Sequence, residues 1–574
     1  MFPVGTTSAV KRRSSRITNS PESVSKVIHD VFPYLCVAVL QFLILYPLHA
    51  TMDLPTWDEA NYMGQGEQFL HGGTLGPLSG SPVYHLLYAL VIKVFGTVSS
   101  VFAMQYVLKI STSTLLLLFL VEHLESRLMA LLLTLIWVGS GINIFEQVLV
   151  YHAALALFLL ALVFLNKHRL ITLLLLCLCT LTRLEYIFPT LGFAGYLIVT
   201  ATSKQRNDRR QPVPKAGIAL PRFVAFALTA LLSYLALNIE SFNLGDKRMW
   251  FAFNQNYSRH EVESGRYNLN PYIDSNVIVQ NDFPDADSLT SALLINPKYF
   301  FKHILRNIAI LPKAILKFGR PYTFQYSTGL LYGALLGFGL TILIQAAVMN
   351  CRLLASGLLS VIRERKNLLF FALASIPALI PILLAYPLPH HTLIMVPFCL
   401  LWAGLACLRV LQIVESPKFA TSCLIALNLF FILVLGVVEK PYASSGGERT
   451  IYREVTQLIA MWPKHQLKLI GVGATWHSSY LGRQNAFPIE PLATVNGEKI
   501  ESDSNDLRAL ITRHNPDVVL INEDLVNSKN FNTDSLETLN SDQWFKYSVG
   551  KDSFYFLKAI IEADAGSKTS RQRQ

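Results

Sequence analysis

The sequence predicts a polytopic α-helical membrane protein of about eleven transmembrane helices, with a small C-terminal extracytoplasmic α/β domain. Three observations carry this. Of the 574 residues, 52% are hydrophobic and only 15% are charged, with a mean hydropathy of +0.39; soluble domains carry about 25% charged residues. Many apolar runs approach the roughly 20 residues needed to cross a bilayer. The basic residues cluster between those runs, as the positive-inside rule expects, so a net charge of +11 does not point to nucleic acid. The seven cysteines, Cys36, Cys177, Cys179, Cys351, Cys399, Cys407 and Cys423, lie in or beside apolar runs and give neither a disulfide framework nor metal-ligand spacing.

Residues 1–30 form a cytoplasmic basic tail containing Lys11, Arg12, Arg13, Arg16 and Lys26. Span one, 31–49, has no small-residue cleavage site and reads as an anchor rather than a removed signal. The external loop 50–98 carries Asp53, Asp58, Glu59 and Glu67 in its first half, and no Lys or Arg occurs between Lys26 and Lys93. Such a loop belongs on the non-cytoplasmic side. A short helix runs from Glu59 to Leu70. The apolar run 83–95 is too short for a span and is read as a helix in the outer interface.

Spans two to six follow at 99–121, 128–143, 151–166, 169–182 and 184–201. The linkers EHLESR and NKHR lie inside, as does SKQRNDRRQPVPK, which is strongly basic. Span seven at 219–238 leads to an external loop, 240–325, that contains NPKYFFKHILRNIAILPKAILKFGR. There Lys298, Lys302 and Arg306 recur every four residues beside Phe301, Ile304, Leu305 and Ile308, the pattern of an interfacial amphipathic helix. Spans eight to eleven lie at 327–349, 367–386, 392–411 and 420–438, with a basic inner loop at 350–366. The transmembrane domain thus covers 31–440, and the odd span count leaves the rest outside. Residues 441–562 have the composition of a soluble α/β domain, with strands at LKLIGVGA, DVVLIN and SFYFLKAII and a helix near 504–514. The GVGA turn lacks the full G-x-G-x-x-G dinucleotide pattern. Residues 563–574 form a flexible basic tail. No internal repeat is visible, unlike transporters built from paired halves.

The stretch TMDLPTWDEANYMGQGEQFLHGGTLGPLSGSPVYHLLYALVIKVFG holds the principal candidates. Asp58 and Glu59 open a helix, where the dipole stabilises carboxylates as anions; they either cap that helix or serve as bases. The pair just after the first span, followed by Ser81-Pro82 and the aromatic segment ending in Gly96, resembles the first external loop of the GT-C glycosyltransferases. The likeness is to the branch of the protein O-mannosyltransferases and the aminoarabinose transferase of lipid A, and it extends over residues 30–410. GINIFEQVLVYHAALALFLLAL is similar to the family stretch where an acid opens span four; His152 stands in its place, with Glu146 six residues earlier. CTLTRLEYIFP resembles the turn between spans five and six, placing Arg183 and Glu185 at the outer edge. In PHHTLIMVPFCLLWAGLA, His390 and His391 stand where the family has Arg and Tyr.

The resemblance implies an inverting transfer of a sugar from a polyprenyl-phosphate-linked donor to an acceptor hydroxyl of a glycan, lipid or protein. Asp58 would be the general base, with Glu59 beside it. Lys109, His152, Arg183, His390 and His391 would bind substrate or the lipid phosphate. Three have a structural alternative: snorkelling for Lys109, a hydrogen-bonded core histidine for His152, and mutual pairing for Arg183 and Glu185; the adjacent His390 and His391 have a metal pair as their alternative, without a third ligand in sight. No metal is assigned, since ligand spacing does not support a divalent cation. The implied setting is the bacterial inner (plasma) membrane, with the active site and C-terminal domain on the periplasmic face and membrane lipids as neighbours. Readings from other classes are a polyprenyl-linked sugar flippase or transporter, and a catalytically silent scaffold.

Overall fold

A computed structural model of the chain describes residues 21–207, 224–232, 246–317, 366–432 and 467–558, the last of these discontinuously and the others with short interruptions. Most of the described chain is helical. The first helices are α1 (Pro21–Thr51), α2 (Asp58–Leu70), α3 (Pro82–Phe95), α4 (Thr97–His123), α5 (Arg127–Val138), α6 (Gly141–Phe145), α7 (Val150–Phe164), α8 (Arg169–Thr182) and, after a 3-10 turn at Leu184–Tyr186, α9 (Ile187–Asn207). Among the described residues three helices are long and apolar enough to cross a membrane: Asp30–Pro47 within α1, α4, and His390–Leu408. They coincide with the expected spans one, two and ten.

The expected count of about eleven is not reached among the described residues. Expected spans three, four and five are helices of 12, 15 and 14 residues, short of a bilayer crossing. Local stops set those lengths. Ser126 caps the start of α5 by accepting a hydrogen bond from the Met129 N–H (3.3 Å), and Gly139 ends that helix. Expected span nine is broken into α14 (Lys366–Ser375), a 3-10 turn at Ile376–Leu379 and α15 (Ile380–Leu384); Pro377 lacks the N–H that an unbroken helix requires there. Expected span eight, residues 1–20 and the C-terminal tail lie outside the described residues, and spans seven and eleven are described only in part; residues 21–30, expected within the N-terminal tail, are instead the start of α1.

The centre of the bundle is α7. It is apolar on every side and buried on nearly every side, as expected of a helix enclosed by others. It packs on α4 and α8, while α1 packs on α4. The outer faces of α1 and α3 leave Phe32, Leu35, Leu43, Leu90 and Val94 more than half exposed. Two ion pairs gather at one end of the bundle: Arg127 with Asp30 (2.8 Å) ties α5 to α1, and Lys167 with Glu122 (2.8 Å) ties the turn after α7 to the end of α4. The α7 N-terminus and the α8 C-terminus lie at the other end.

Within the expected external loop 240–325, residues 246–317 fold as α10 (Asp246–Glu263), α11 (Ser275–Asp282), α12 (Leu289–Ile295) and α13 (Pro297–Lys317) around Phe253, Tyr257, Ile278 and Phe283. The amphipathic helix expected here is α13. Its apolar Phe301, Leu305 and Ile308 are exposed, whereas Lys302 and Arg306 turn toward the buried Glu261. The side chains of His303 and Asn307 meet the carbonyls of Leu384 and Leu383, at 3.2 Å and 2.8 Å, which ties this unit to the chain just before His390. A 3-10 segment, Pro389–Met395, then runs into α16 (Val396–Val414).

The C-terminal part holds a five-stranded sheet with β1 (Leu469–Gly471), β2 (Ala486–Pro488), β3 (Val518–Ile521), β4 (Trp544–Val549) and β5 (Asp552–Leu557) in the order β2-β1-β3-β5-β4. β1 pairs in parallel with β2 and β3, with Ile470 opposite Val519; β5 is antiparallel to β3 and β4. α17 (Leu507–His514) precedes β3. The expected helix and three strands are present, with β2 and β4 added.

Candidate functional site

Asp58 and Glu59 are the first two residues of α2, and successive helical residues point about 100° apart. Asp58 is exposed, and its carboxylate makes no hydrogen bond to a described residue. Glu59 is fully buried. The Tyr84 and Tyr88 hydroxyls, one turn apart on α3, both donate to Glu59 Oε1, and the Leu149 N–H donates to Oε2 at 3.0 Å. Leu149 is the N-cap position of α7, so Glu59 satisfies one of that helix's unpaired amides and lies at the positive end of its dipole. Burial nevertheless pushes the Glu59 carboxyl up to about 7, against the three hydrogen bonds; the Asp58 charge adds to the rise. Contact this close requires α2 to lie hard against α3. Gly66 permits it: a Cβ there would come within 2.7 Å of the Tyr88 Cβ and 2.9 Å of the His85 carbonyl.

The segment between α6 and α7 supplies the second part of the site. Glu146 turns back on its own chain, accepting from the Val148 N–H at 2.9 Å through Oε1, and takes His390 Nδ1 at 2.8 Å through Oε2. Burial opposes its charge; the His390 ring and the Val148 amide outweigh burial and hold the carboxyl at about 2. It is therefore an anion at neutral pH, and His390 Nδ1 carries the proton it donates.

Tyr151, in the first turn of α7, meets the rings of both His390 and His391, with centroids 4.6 Å and 5.3 Å away. The Arg183 guanidinium lies 4.1 Å over the Tyr151 ring and donates to its hydroxyl at 2.7 Å. Arg183 is also paired with Glu185, Nε lying 3.1 Å from Oε2. Tyr151 thus links Arg183 with His390 and His391 in one neighbourhood.

Lys109 is fully buried in α4, and its ammonium donates to the Ile144 carbonyl at 2.7 Å, close enough to sense both Glu146 and Glu59. It does not snorkel to a surface. His152 is fully buried near Trp137, and neither ring nitrogen has a hydrogen-bond partner. The expected residues therefore converge, but in different environments: Asp58 exposed, Glu59, Lys109 and His152 enclosed, and Arg183 and His390 held at the margin by acidic partners. Sequence reasoning missed Tyr84, Tyr88, Tyr151 and the Glu146–His390 pair. The four-residue spacing of Tyr84 and Tyr88 was the available signal for the first two. No group of three or more metal-ligating side chains is assembled among the described residues.

A comparison of the chain with protein-family models gives no match, and a comparison with curated proteins gives none.

Proposed function

We propose that the protein is a multi-pass membrane glycosyltransferase of the GT-C type, with about eleven spans when all apolar runs of the sequence are counted. It moves a sugar from a polyprenyl-phosphate donor to an acceptor hydroxyl at the outer face of the membrane. The supporting observation is that the residues assigned by family resemblance gather at one end of the helix bundle. The exposed carboxylate of Asp58 belongs to the same end as Arg183 and His390, whose largely buried side chains are each held by an acidic partner, Glu185 and Glu146.

In the reaction, the acceptor hydroxyl gives its proton to the Asp58 carboxylate as its oxygen bonds to the anomeric carbon. The bond from that carbon to the phosphate oxygen breaks, and its electron pair leaves on the lipid phosphate. Attack opposite the leaving group inverts the anomeric centre. Arg183 and His390 offset the charge that develops on the phosphate. Lys109 is too enclosed to touch the donor; it balances the buried charge of Glu146 and Glu59 instead.

Purified protein incubated with a panel of polyprenyl-phosphate sugars tests the reading. Release of lipid phosphate that depends on an added acceptor is expected. Equilibration of intact donor across a vesicle without any such release would replace the transferase with a transporter.

A further inference from the structure

We infer that Tyr480 is a positioning residue: it pins the C-terminal α/β part to the corner between α3 and α4, and through α3 it holds α2, the helix that opens with Asp58. What this does for sugar transfer rests on the glycosyltransferase reading; the docking itself does not.

The first argument is where Tyr480 packs. In the chain it stands between β1 and β2, yet it is only 2% exposed and belongs to the apolar core of the helix bundle. The sheet has its own core around Ile470, Leu507, Val519 and Trp544, and Tyr480 is not part of it. A buried tyrosine carries a large apolar surface, so this one side chain is a substantial link between the two parts. The second argument is a hydrogen bond. The Thr97 hydroxyl donates to the Tyr480 carbonyl at 2.9 Å, across 383 residues of chain. Thr97 opens α4, and Glu122 near the other end of α4 pairs with Lys167. Tyr480 therefore meets the bundle at the end opposite that ion pair, the end that carries the candidate site. Burial pushes the Tyr480 hydroxyl well up from its ordinary value, and the charges of Glu59 and Asp53 in the first external loop add to the rise. The ring thus stays neutral and acts by packing. The third argument is the corner itself. Gly96 ends α3 and precedes α4 with a φ of +77°, a left-handed conformation that favours glycine. A glycine joint has little stiffness of its own, so contacts on either side set its angle. Tyr480 supplies one on the α4 side. On the α3 side, Tyr84 and Tyr88 grip Glu59 of α2, and Gly66 lets the two helices touch. α2 and α3 are thereby one unit, and a restraint at the corner is passed on to Asp58.

The test is hydrogen–deuterium exchange on full-length protein in detergent, read by mass spectrometry, for the wild type, Y480A, Y480F and T97V. Y480A should speed exchange of the α2 and α3 amides by about tenfold or more, the scale of losing a buried aromatic contact, while α7 and α8 keep wild-type rates. Y480F keeps the ring and the carbonyl and should match the wild type. T97V removes the hydroxyl at nearly constant shape. It should speed exchange at the corner, read at Gly96 and Ser100, whose amides are hydrogen-bonded there. Unchanged α2 and α3 in Y480A overturn the inference. So does an equal rise in α7 and α8, which would make Tyr480 a general core residue. Should Y480A fail to fold, T97V decides, and an unmoved corner overturns the docking. Turnover gives a separate readout. Y480A should lower kcat for sugar transfer with the donor KM nearly unchanged, because Arg183 and His390 lie outside α2 and α3; Y480F should keep the wild-type kcat. Wild-type kcat in a Y480A protein with loosened α2 overturns the positioning role. Absence of transfer in the wild type refutes the transferase and leaves the exchange result standing.

Discussion

Replacing Glu59 with Gln tests how the buried carboxyl holds the first external loop. Glu59 is fully buried, with two tyrosine hydroxyls on one oxygen and the Leu149 amide on the other. Its carboxyl is raised from 4.5 to about 7. A folded-state value above the unfolded one means that its contribution is fully present below the ordinary carboxylate value and is lost as pH rises through about 7. The difference corresponds to about 3 kcal/mol against the folded state at about pH 8. Gln removes that penalty. It also has a single acceptor oxygen, so either the tyrosines or the Leu149 N–H must face an NH2 group, at a cost of about 1–3 kcal/mol. Near pH 5 the wild type has incurred little of its penalty, and Glu59→Gln should unfold at a lower temperature. Near pH 8 the two effects offset each other, and the variant should match or exceed the wild type. Thermal unfolding in detergent, followed by tryptophan fluorescence at several pH values, reads this directly. Parallel wild-type and variant curves would refute the reasoning, because they would mean that the carboxyl titrates no differently in the folded and unfolded protein.

Three further outcomes follow from the geometry. Gly66→Ala should destabilise by about 1–3 kcal/mol, since its Cβ would strike α3 backbone and the Tyr88 Cβ; a neutral effect on denaturant unfolding would mean that α2 and α3 are not in contact. Arg183→Ala should raise the KM for donor more than it lowers the unfolding temperature, and unchanged KM in a folded variant would return Arg183 to a structural role with Glu185 and Tyr151. Cysteines placed singly at 125 and 210 should label from one side of the membrane and one at 542, exposed in the C-terminal part, from the other; labelling of 210 and 542 from the same side would make the span count wrong by an odd number.

What was legible in the sequence was local. The start of α2 at the Asp58-Glu59 pair, the long α4 and the strands LKLI and DVVLI each announce themselves within a few residues, by composition or periodicity. Gly471 shows why such signals need a structure beside them. Its φ of +133° and the Leu520 carbonyl only 2.1 Å from where a Cβ would stand make it a requirement of strand packing, independent of any phosphate loop. What was not legible was partnership across the chain. His390 is recognisable as a candidate, but its acid lies 244 residues away, and no single-sequence signal links the two. β2 is three residues long and too short for a periodicity to register. Among the described residues fewer helices reach bilayer length than the apolar runs suggest, for a related reason. Hydropathy measures apolar content, whereas helix length is set by stops such as Ser126, Gly139 and Pro377, several of which lie inside or at the edge of apolar runs.

The two adjacent carboxylates also separate catalysis from architecture. The rotation of about 100° between neighbours on a helix turns Glu59 into the protein and leaves Asp58 outside. A base for a water-borne hydroxyl must be reachable, and of the two only Asp58 is. Asn at position 58 preserves size and removes only the charge from the first residue of α2. The lost charge at the α2 N-terminus is worth less than about 1 kcal/mol at an exposed position, so the unfolding temperature should hardly move. Transfer should nonetheless fall by about a hundredfold or more, the usual scale of general-base catalysis, while farnesyl phosphate binding stays intact because Arg183 and His390 are untouched. Glu59→Gln should show the converse: a changed pH profile of stability with a smaller loss of rate. Full transfer by a well-folded Asp58→Asn protein would remove Asp58 as the base. Loss of lipid-phosphate binding in that variant would mean that Asp58 organises the site instead of taking the proton.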